Sequence, residues 1–203
     1  MSNVLVIKSH PLNAEASRTV TILDTFLDAY TKENPTDTVT VLDLYNSFIP
    51  EVDEEMLQGW ANAANGIELT EAQQQKVSRF KELTEQFLAT DKIVIANPLW
   101  NLNVPTRLKA WIDTIMVSGT TFKYTATGPV GLTEGKKVLH IQSSGGIYNG
   151  EDFASTFVKT ALAFVGVSDH VGIYIEGIDH DPSKSEEIME SLAQRTTDIA
   201  KLF

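Results

Sequence analysis

Three short stretches carry side chains whose types and spacing could do chemistry. Ser17-Arg18-Thr19 sets two hydroxyls and a guanidinium where a helix is expected to start, so free backbone N–H groups and the positive end of the helix dipole would join them around one phosphate. The same tripeptide also reads as an ordinary helix cap with a surface arginine. Pro98-Leu99-Trp100-Asn101-Leu102, followed by Asn103 and Pro105, combines apolar surface with amides. A flat heteroaromatic ring needs that combination, apolar contact on its faces and a few directed hydrogen bonds at its polar edge. Trp100 as core filler is the competing reading. Ser143-Ser144-Gly145-Gly146 can bring backbone N–H groups close to a ligand with no Cβ in the way, although a tight turn before a helix uses glycines equally well. Of the histidines at 10, 140, 170 and 180, only His10 falls beside these stretches. His140 lies inside a strand pattern and is expected to be a satisfied core or edge side chain. Asp179-His180-Asp181 is expected to be a solvated turn, with no metal site, because no partner stands at ligand spacing.

The elements that would position these stretches can be read from hydrophobic periodicity. Val4-Leu5-Val6-Ile7 and Ile93-Val94-Ile95-Ala96 are continuously apolar, as strands covered on both faces are. Residues 38–44 alternate and read as an edge strand, and 137–142 and 171–177 complete a set of five. Each is followed by a helical pattern: from Val20 to about Asn34, over 53–62 and from Thr70 to about Thr90, after Pro105, over 153–165, and after Ser183. Thr70 with Gln73 three residues on is a capping-box signature. Strands alternating with helices, without a repeat, predict one α/β domain over 1–203: a three-layer, five-stranded parallel sheet of order 2-1-3-4-5 with helices on both faces. In that order the switch point lies between the first and third strands. Loops 9–19 and 97–105 then flank one crevice, with 143–146 on its far side. Pro98 holds Asn97 extended and Pro105 suits a first helical turn, so the middle loop is pinned at both ends. Val104, Leu108, Trp111, Ile112, Ile115 and Met116 form a stripe wide enough to face a second subunit or simply the sheet. Residues 120–129 alternate and then break in Gly-Pro, the pattern of a small hairpin or flap.

Composition narrows the function classes. Sixteen Lys and Arg against 27 Asp and Glu give a formal charge of -11, which repels nucleic acid and anionic membrane surfaces. The absence of cysteine excludes disulfides, thiolate nucleophiles and thiolate metal centres, so any redox chemistry must be borrowed from a cofactor. No apolar run is long enough for a membrane span and the start lacks a cleavable leader pattern, so a cytoplasmic location is expected. The glycine fingerprints of dinucleotide and ATP-type phosphate loops are missing, as is a G-x-S-x-G elbow.

Ser9-His10-Pro11 with Ser17-Arg18-Thr19, then Asn97 through Thr106, Thr121-Phe122-Lys123-Tyr124-Thr125 and Ser143 through Gly146, resemble at matching spacing the FMN-dependent NADH-azoreductases. That family also acts as NADH:quinone oxidoreductase and is flavodoxin-like. The resemblance runs from the first strand to the last helix. It implies an enzyme that binds FMN non-covalently, takes a hydride from NADH or NADPH, and passes two electrons to a quinone or azo compound in a ping-pong cycle. By the same resemblance Ser17, Arg18 and Thr19 hold the flavin phosphate, Leu99, Trp100, Asn101 and Leu102 contact the ring, and Ser143, Ser144, Gly145 and Gly146 meet its pyrimidine edge, with His10 and Pro98 alongside. No side-chain acid is required. A homodimer with active sites at the interface is implied, which favours the partner-facing reading of the helix after Pro105; Phe122 and Tyr124 on the flap, and Trp60, are candidates for lining the substrate space. A flavodoxin-type electron carrier is the alternative, which the acidic charge also suits. A receiver domain would need an acidic cluster after the first strand, where Lys8-Ser9-His10 stands instead.

Overall fold

The structure, a computed structural model, describes residues 1–203. Its central sheet holds five parallel strands in the order β2-β1-β3-β6-β7: β1 is Asn3–Lys8, β2 Thr38–Asp43, β3 Lys92–Pro98, β6 Lys137–Ser143 and β7 Asp169–Ile175. This is the expected 2-1-3-4-5 arrangement, the remaining two strands forming the expected hairpin, β4 (Phe122–Thr125) with β5 (Gly128–Gly131). The last sheet strand begins two residues earlier than the 171–177 pattern and ends at Ile175; Gly177, at φ +81, turns the chain out of the ladder.

Period-two alternation decides which helix each strand residue meets. Leu5, Ile7, Ile93, Ile95 and Val138 point to one face, under α3 (Glu71–Leu88), α4 (Thr106–Ile115) and α5 (Phe153–Phe164). Val4, Val6, Val94, Ala96, Leu139 and Ile141 point to the other, under α1 (Arg18–Glu33) and α6 (Ser185–Leu202). Both faces are therefore covered, which is why these strands read as continuous apolar runs. A short α2 (Glu54–Ala64) lies in the β2 to α3 crossover, and the Thr70–Gln73 capping box starts α3 as expected.

The wide stripe of α4 resolves in favour of the sheet. Leu108, Trp111, Ile112 and Ile115 are buried within this chain, Val104 nearly so, and only Met116 stays partly open. Each such burial contributes roughly 1.5–3 kcal/mol, so this face is committed to the core and cannot also serve a partner. The β4–β5 hairpin joins the end of α4 to the start of β6 and leans on the end of α5, where Thr133 Oγ1 donates to the Val165 carbonyl at 2.6 Å. Crossover helices run antiparallel to their strands. The hairpin therefore lies at the amino-terminal edge of the sheet, opposite the loops that follow β1, β3 and β6.

Candidate active site

Those three loops meet at the carboxyl edge, at the β1/β3 switch point. The Ser9 N–H donates to the Ala96 carbonyl at 2.8 Å, the Leu99 N–H to the Ser143 carbonyl at 2.7 Å, and the Thr19 and Ser143 hydroxyls lie 2.7 Å apart. Strand pairing thus extends one residue beyond β1 and β3 and holds the first turn of α1 against the end of β6.

At α1, Ser17 is the N-cap: its hydroxyl accepts from the Val20 N–H at 3.3 Å. Helix geometry leaves the N–H groups of Arg18 and Thr19 without intrahelical acceptors. Ser17 and Thr19 are buried, and at the end of β1 Ser9 is fully buried with a hydroxyl that has no hydrogen-bond partner. An orphaned buried hydroxyl is costly, and one at the carboxyl edge of β1, in the loop that leads to the free N–H groups of α1, fits an anionic oxygen acceptor such as phosphate. Ser9 did not stand out in the sequence; the available signal was a hydroxyl placed directly after an apolar strand at the switch point. The Arg18 guanidinium is not free: its Nη1 pairs with Asp179 at 2.9 Å. Asp179 and His180 are exposed in a turn, so the expected solvated turn holds, and Asp179 additionally ties it to the first turn of α1.

Between β3 and α4 the chain makes a two-residue reversal. Trp100 and Asn103 exchange both backbone hydrogen bonds at 3.0 Å, and Asn101 and Leu102 between them have φ of 49° and 64°. Both central residues are left-handed, the geometry of a type I′ turn that glycine or asparagine usually supplies. Leucine in this region costs on the order of 1–2 kcal/mol, a strain that clusters at ligand sites. The turn leaves Trp100 41% and Leu102 57% exposed, so Trp100 is not core filler. Its indole sits 5.5 Å from the His10 ring, tilted by 54°. His10 is nearly buried and its Nδ1 accepts from the Leu12 N–H at 3.1 Å, which places the ring proton of the neutral form on Nε2. Burial holds the His10 pKa below its ordinary value, with Lys8 adding to the effect.

On the far wall, Gly145 and Gly146 have ordinary φ, so turn geometry does not require glycine there. A Cβ on Gly145 would lie 2.9 Å from Asp179 Oδ2, and one on Gly146 would lie 2.6 Å from the Tyr148 ring. Pro98 is buried as the last residue of β3, and Leu99 packs on the core beneath the turn.

Below this surface runs a dry polar chain that the sequence did not announce. Asn97 and Gln142 are register partners at the ends of β3 and β6, on the α5 face. Asn97 Nδ2 donates to Gln142 Oε1 and to the Pro98 carbonyl, both at 3.1 Å, and its Oδ1 faces His140 Nε2 at 2.8 Å. Gln142 Nε2 donates in turn to Asp152 Oδ2 and Ser155 Oγ, both at 2.8 Å, while Asp152 Oδ1 caps α5. His140 is not the satisfied side chain expected, because its Nδ1 has no partner. Burial, with His170 nearby, pushes its pKa from 6.5 down to about 3, so it stays neutral in the fold. The unfolded chain gains this proton below about pH 6.5, so the stabilisation is full above that pH. It is lost at up to about 1.4 kcal/mol per pH unit as acid is added, until the folded form titrates near pH 3. His140→Gln is expected to flatten this part of a stability profile measured by urea unfolding; parallel profiles for the two proteins would contradict the assignment.

The flap candidates behave differently. Phe122 is buried against Phe164 at 4.7 Å, and Tyr124 is 72% exposed but at the opposite end of the sheet from the crevice. Trp60 packs edge-on to Phe80 at 5.1 Å in a groove between α2, α3 and the segment after α4, sharing no wall with Trp100. Asp179 pairs with Arg18, and no helix is long and apolar enough to cross a membrane.

The flavodoxin-like fold family matches residues 2–199. An FMN-dependent NADH:quinone oxidoreductase of Streptococcus suis (strain 98HAH33) is 41% identical over 203 residues, and one of Staphylococcus haemolyticus (strain JCSC1435) 42% identical over 208 residues, covering all of both chains in each case. Among solved structures, an azoreductase from Bacillus anthracis str. Sterne superposes with a TM-score of 0.92 at 36% identity over the full length of both chains. An FMN-dependent NADH-azoreductase from Bacillus anthracis str. Ames Ancestor, in complex with FMN, has a TM-score of 0.89 at 31% identity, covering 98% of this chain and 100% of the other.

Proposed function

This chain belongs to the flavodoxin-like family of FMN-dependent NADH:quinone oxidoreductases, and on that premise we propose that it reduces quinones and azo compounds with electrons from NADH, using bound FMN in a homodimer. The observation that carries the reading is the buried, unpartnered Ser9 hydroxyl at the end of β1, in the loop that leads to the open first turn of α1, together with an exposed indole on a strained turn after β3. When bound, FMN would supply the two-electron hydride chemistry between NADH and the acceptor.

The protein's own work is positioning. Ser9, Ser17, Thr19 and the N–H groups of Arg18 and Thr19 would hold the phosphate, with the Arg18 charge oriented by Asp179. Trp100 with Leu99, Asn101 and Leu102 would bear on the ring, and Ser143 through Gly146 would present N–H groups to its pyrimidine edge, where negative charge gathers on reduction. His10, neutral and with its proton on Nε2, is placed beside the indole to donate a hydrogen bond rather than a charge. Because α4 spends its apolar stripe on the core, the dimer must be built from other surfaces. The exposed Tyr124, too far from its own crevice, would complete the partner's.

The test is reconstitution. The protein with FMN should show flavin absorption, oxidise NADH with menadione, and elute at twice the chain mass. A colourless protein that cannot be loaded would overturn the reading, and a flavin-bearing monomer that reduces only a protein partner would favour the electron carrier. Ser9→Ala sharpens it: removing an orphaned buried hydroxyl should leave the apoprotein at least as stable, while FMN binds about tenfold more weakly for the loss of a charge-assisted hydrogen bond. Equal FMN affinity by fluorescence titration would remove Ser9 from the phosphate site.

A further inference from the structure

A cleft of about 770 Å³ lies between the loop after β2 and the loop after β3. It shares Trp100, Asn101 and Asn103 with the ring platform but touches neither residues 9–19 nor 143–146, so it adjoins the cofactor cradle without being part of it. Its volume is that of a small-molecule site. Tyr45, Phe48 and Val104 give it an aromatic and apolar wall.

Set into that wall is Arg107. Its Nη1 donates to the Leu44 carbonyl at 3.0 Å and the Ser47 carbonyl at 3.4 Å, and its guanidinium carbon lies 5.5 Å from the centre of the Tyr45 ring. Carbonyl oxygens orient a guanidinium without cancelling its charge, and no carboxylate stands within ion-pair distance. The other lining cation, Lys76, is paired with Asp53. Pro105 starts α4 with no side-chain cap, so the positive end of that helix adds to the Arg107 charge. One unpaired acid, Glu51, also lines the cleft and opposes them.

On the reading of the crevice as a site that turns over small aromatic acceptors, we propose that this cleft receives the acidic substituent of such an acceptor, a sulfonate or carboxylate, and that Arg107 determines the preference for it. The chain's net charge of -11 repels anions at long range, so an anionic acceptor needs a local cation beside the ring, and Arg107 is the unpaired one there. The aromatic wall takes the body of the molecule while the free Nε and Nη2 donors face its charged end.

A matched pair of acceptors tests this on the FMN-loaded protein: menadione, which is neutral, and anthraquinone-2-sulfonate. In Arg107→Gln the KM for the sulfonate should rise about tenfold, the value of a charge-assisted contact, while that for menadione stays within about twofold. Arg107→Lys, which keeps the charge, should recover much of the preference, and Glu51→Gln should lower the sulfonate KM. An unchanged ratio of the two acceptors in Arg107→Gln, or an equal loss for both, would overturn the proposal. Equilibrium dialysis of anthraquinone-2-sulfonate against the same proteins reads the subsite without turnover. A wild-type protein inactive with menadione would refute the oxidoreductase reading, whereas dialysis binding that survives Arg107→Gln would refute the subsite.

Discussion

Trp100→Ala is expected to weaken FMN binding by about 10- to 100-fold while leaving the melting temperature nearly unchanged. Both halves follow from where the indole sits. It is 41% exposed and its only aromatic neighbour is His10, so its removal leaves no core cavity and stability should move by no more than about 0.5 kcal/mol. A flat ring laid against an indole gains roughly 1–3 kcal/mol from stacking, which the alanine cannot return. The left-handed Asn101 and Leu102 argue in the same direction: a strained turn persists when it holds a side chain in a useful place. Flavin fluorescence titration and thermal unfolding on the same sample separate the outcomes. Undiminished affinity and turnover would move the ring elsewhere, and a large fall in melting temperature would make Trp100 a structural residue.

The opposite profile is expected for Asn97→Leu, where stability falls first. Asn97 is fully buried, and its amide serves the Pro98 carbonyl, Gln142 and His140 together. Leucine is close in size but leaves three buried polar groups without partners, at about 1–3 kcal/mol for each that cannot relax. A net loss of roughly 3–5 kcal/mol corresponds to about 6–20 °C in a chain of this length. Adding His140→Val removes one orphan, so the double variant should regain part of the loss, a coupling that a double-mutant cycle measures directly. Additive losses would show that the network is not a unit. Because Asn97 directly precedes the ligand turn, flavin affinity should fall along with stability, in contrast to Trp100→Ala.

These two residues mark how far the sequence could be read. Trp100 was visible as a candidate because an aromatic between two prolines, after a β-branched run, is already an anomaly for a core. Asn97 stood in the same stretch and read only as a strand-end residue that Pro98 holds extended. Its importance depends on Gln142 and His140, more than forty positions away, meeting it across a parallel ladder. Ser9 and Asp179 were missed for the same reason, since being orphaned or being paired is a property of neighbours. The stripe on α4 shows the converse: periodicity marked a wide apolar face correctly, but spacing carries no record of whether a sheet or a second subunit covers it.

By itself the sequence determined the order of elements, the two-sided burial of the strands, the strand order and hence the position of the crevice. It also determined the caps at Ser17 and Thr70. These depend on interactions within a few residues and on the limited ways a right-handed strand–helix–strand chain can wind. Only the tertiary structure decided which hydroxyl lacks a partner, which arginine is neutralised and which is left charged, and at which end of the sheet the hairpin hangs. Those outcomes are sums over groups distant in the chain, because burial and electrostatic pairing act through space with no dependence on sequence separation.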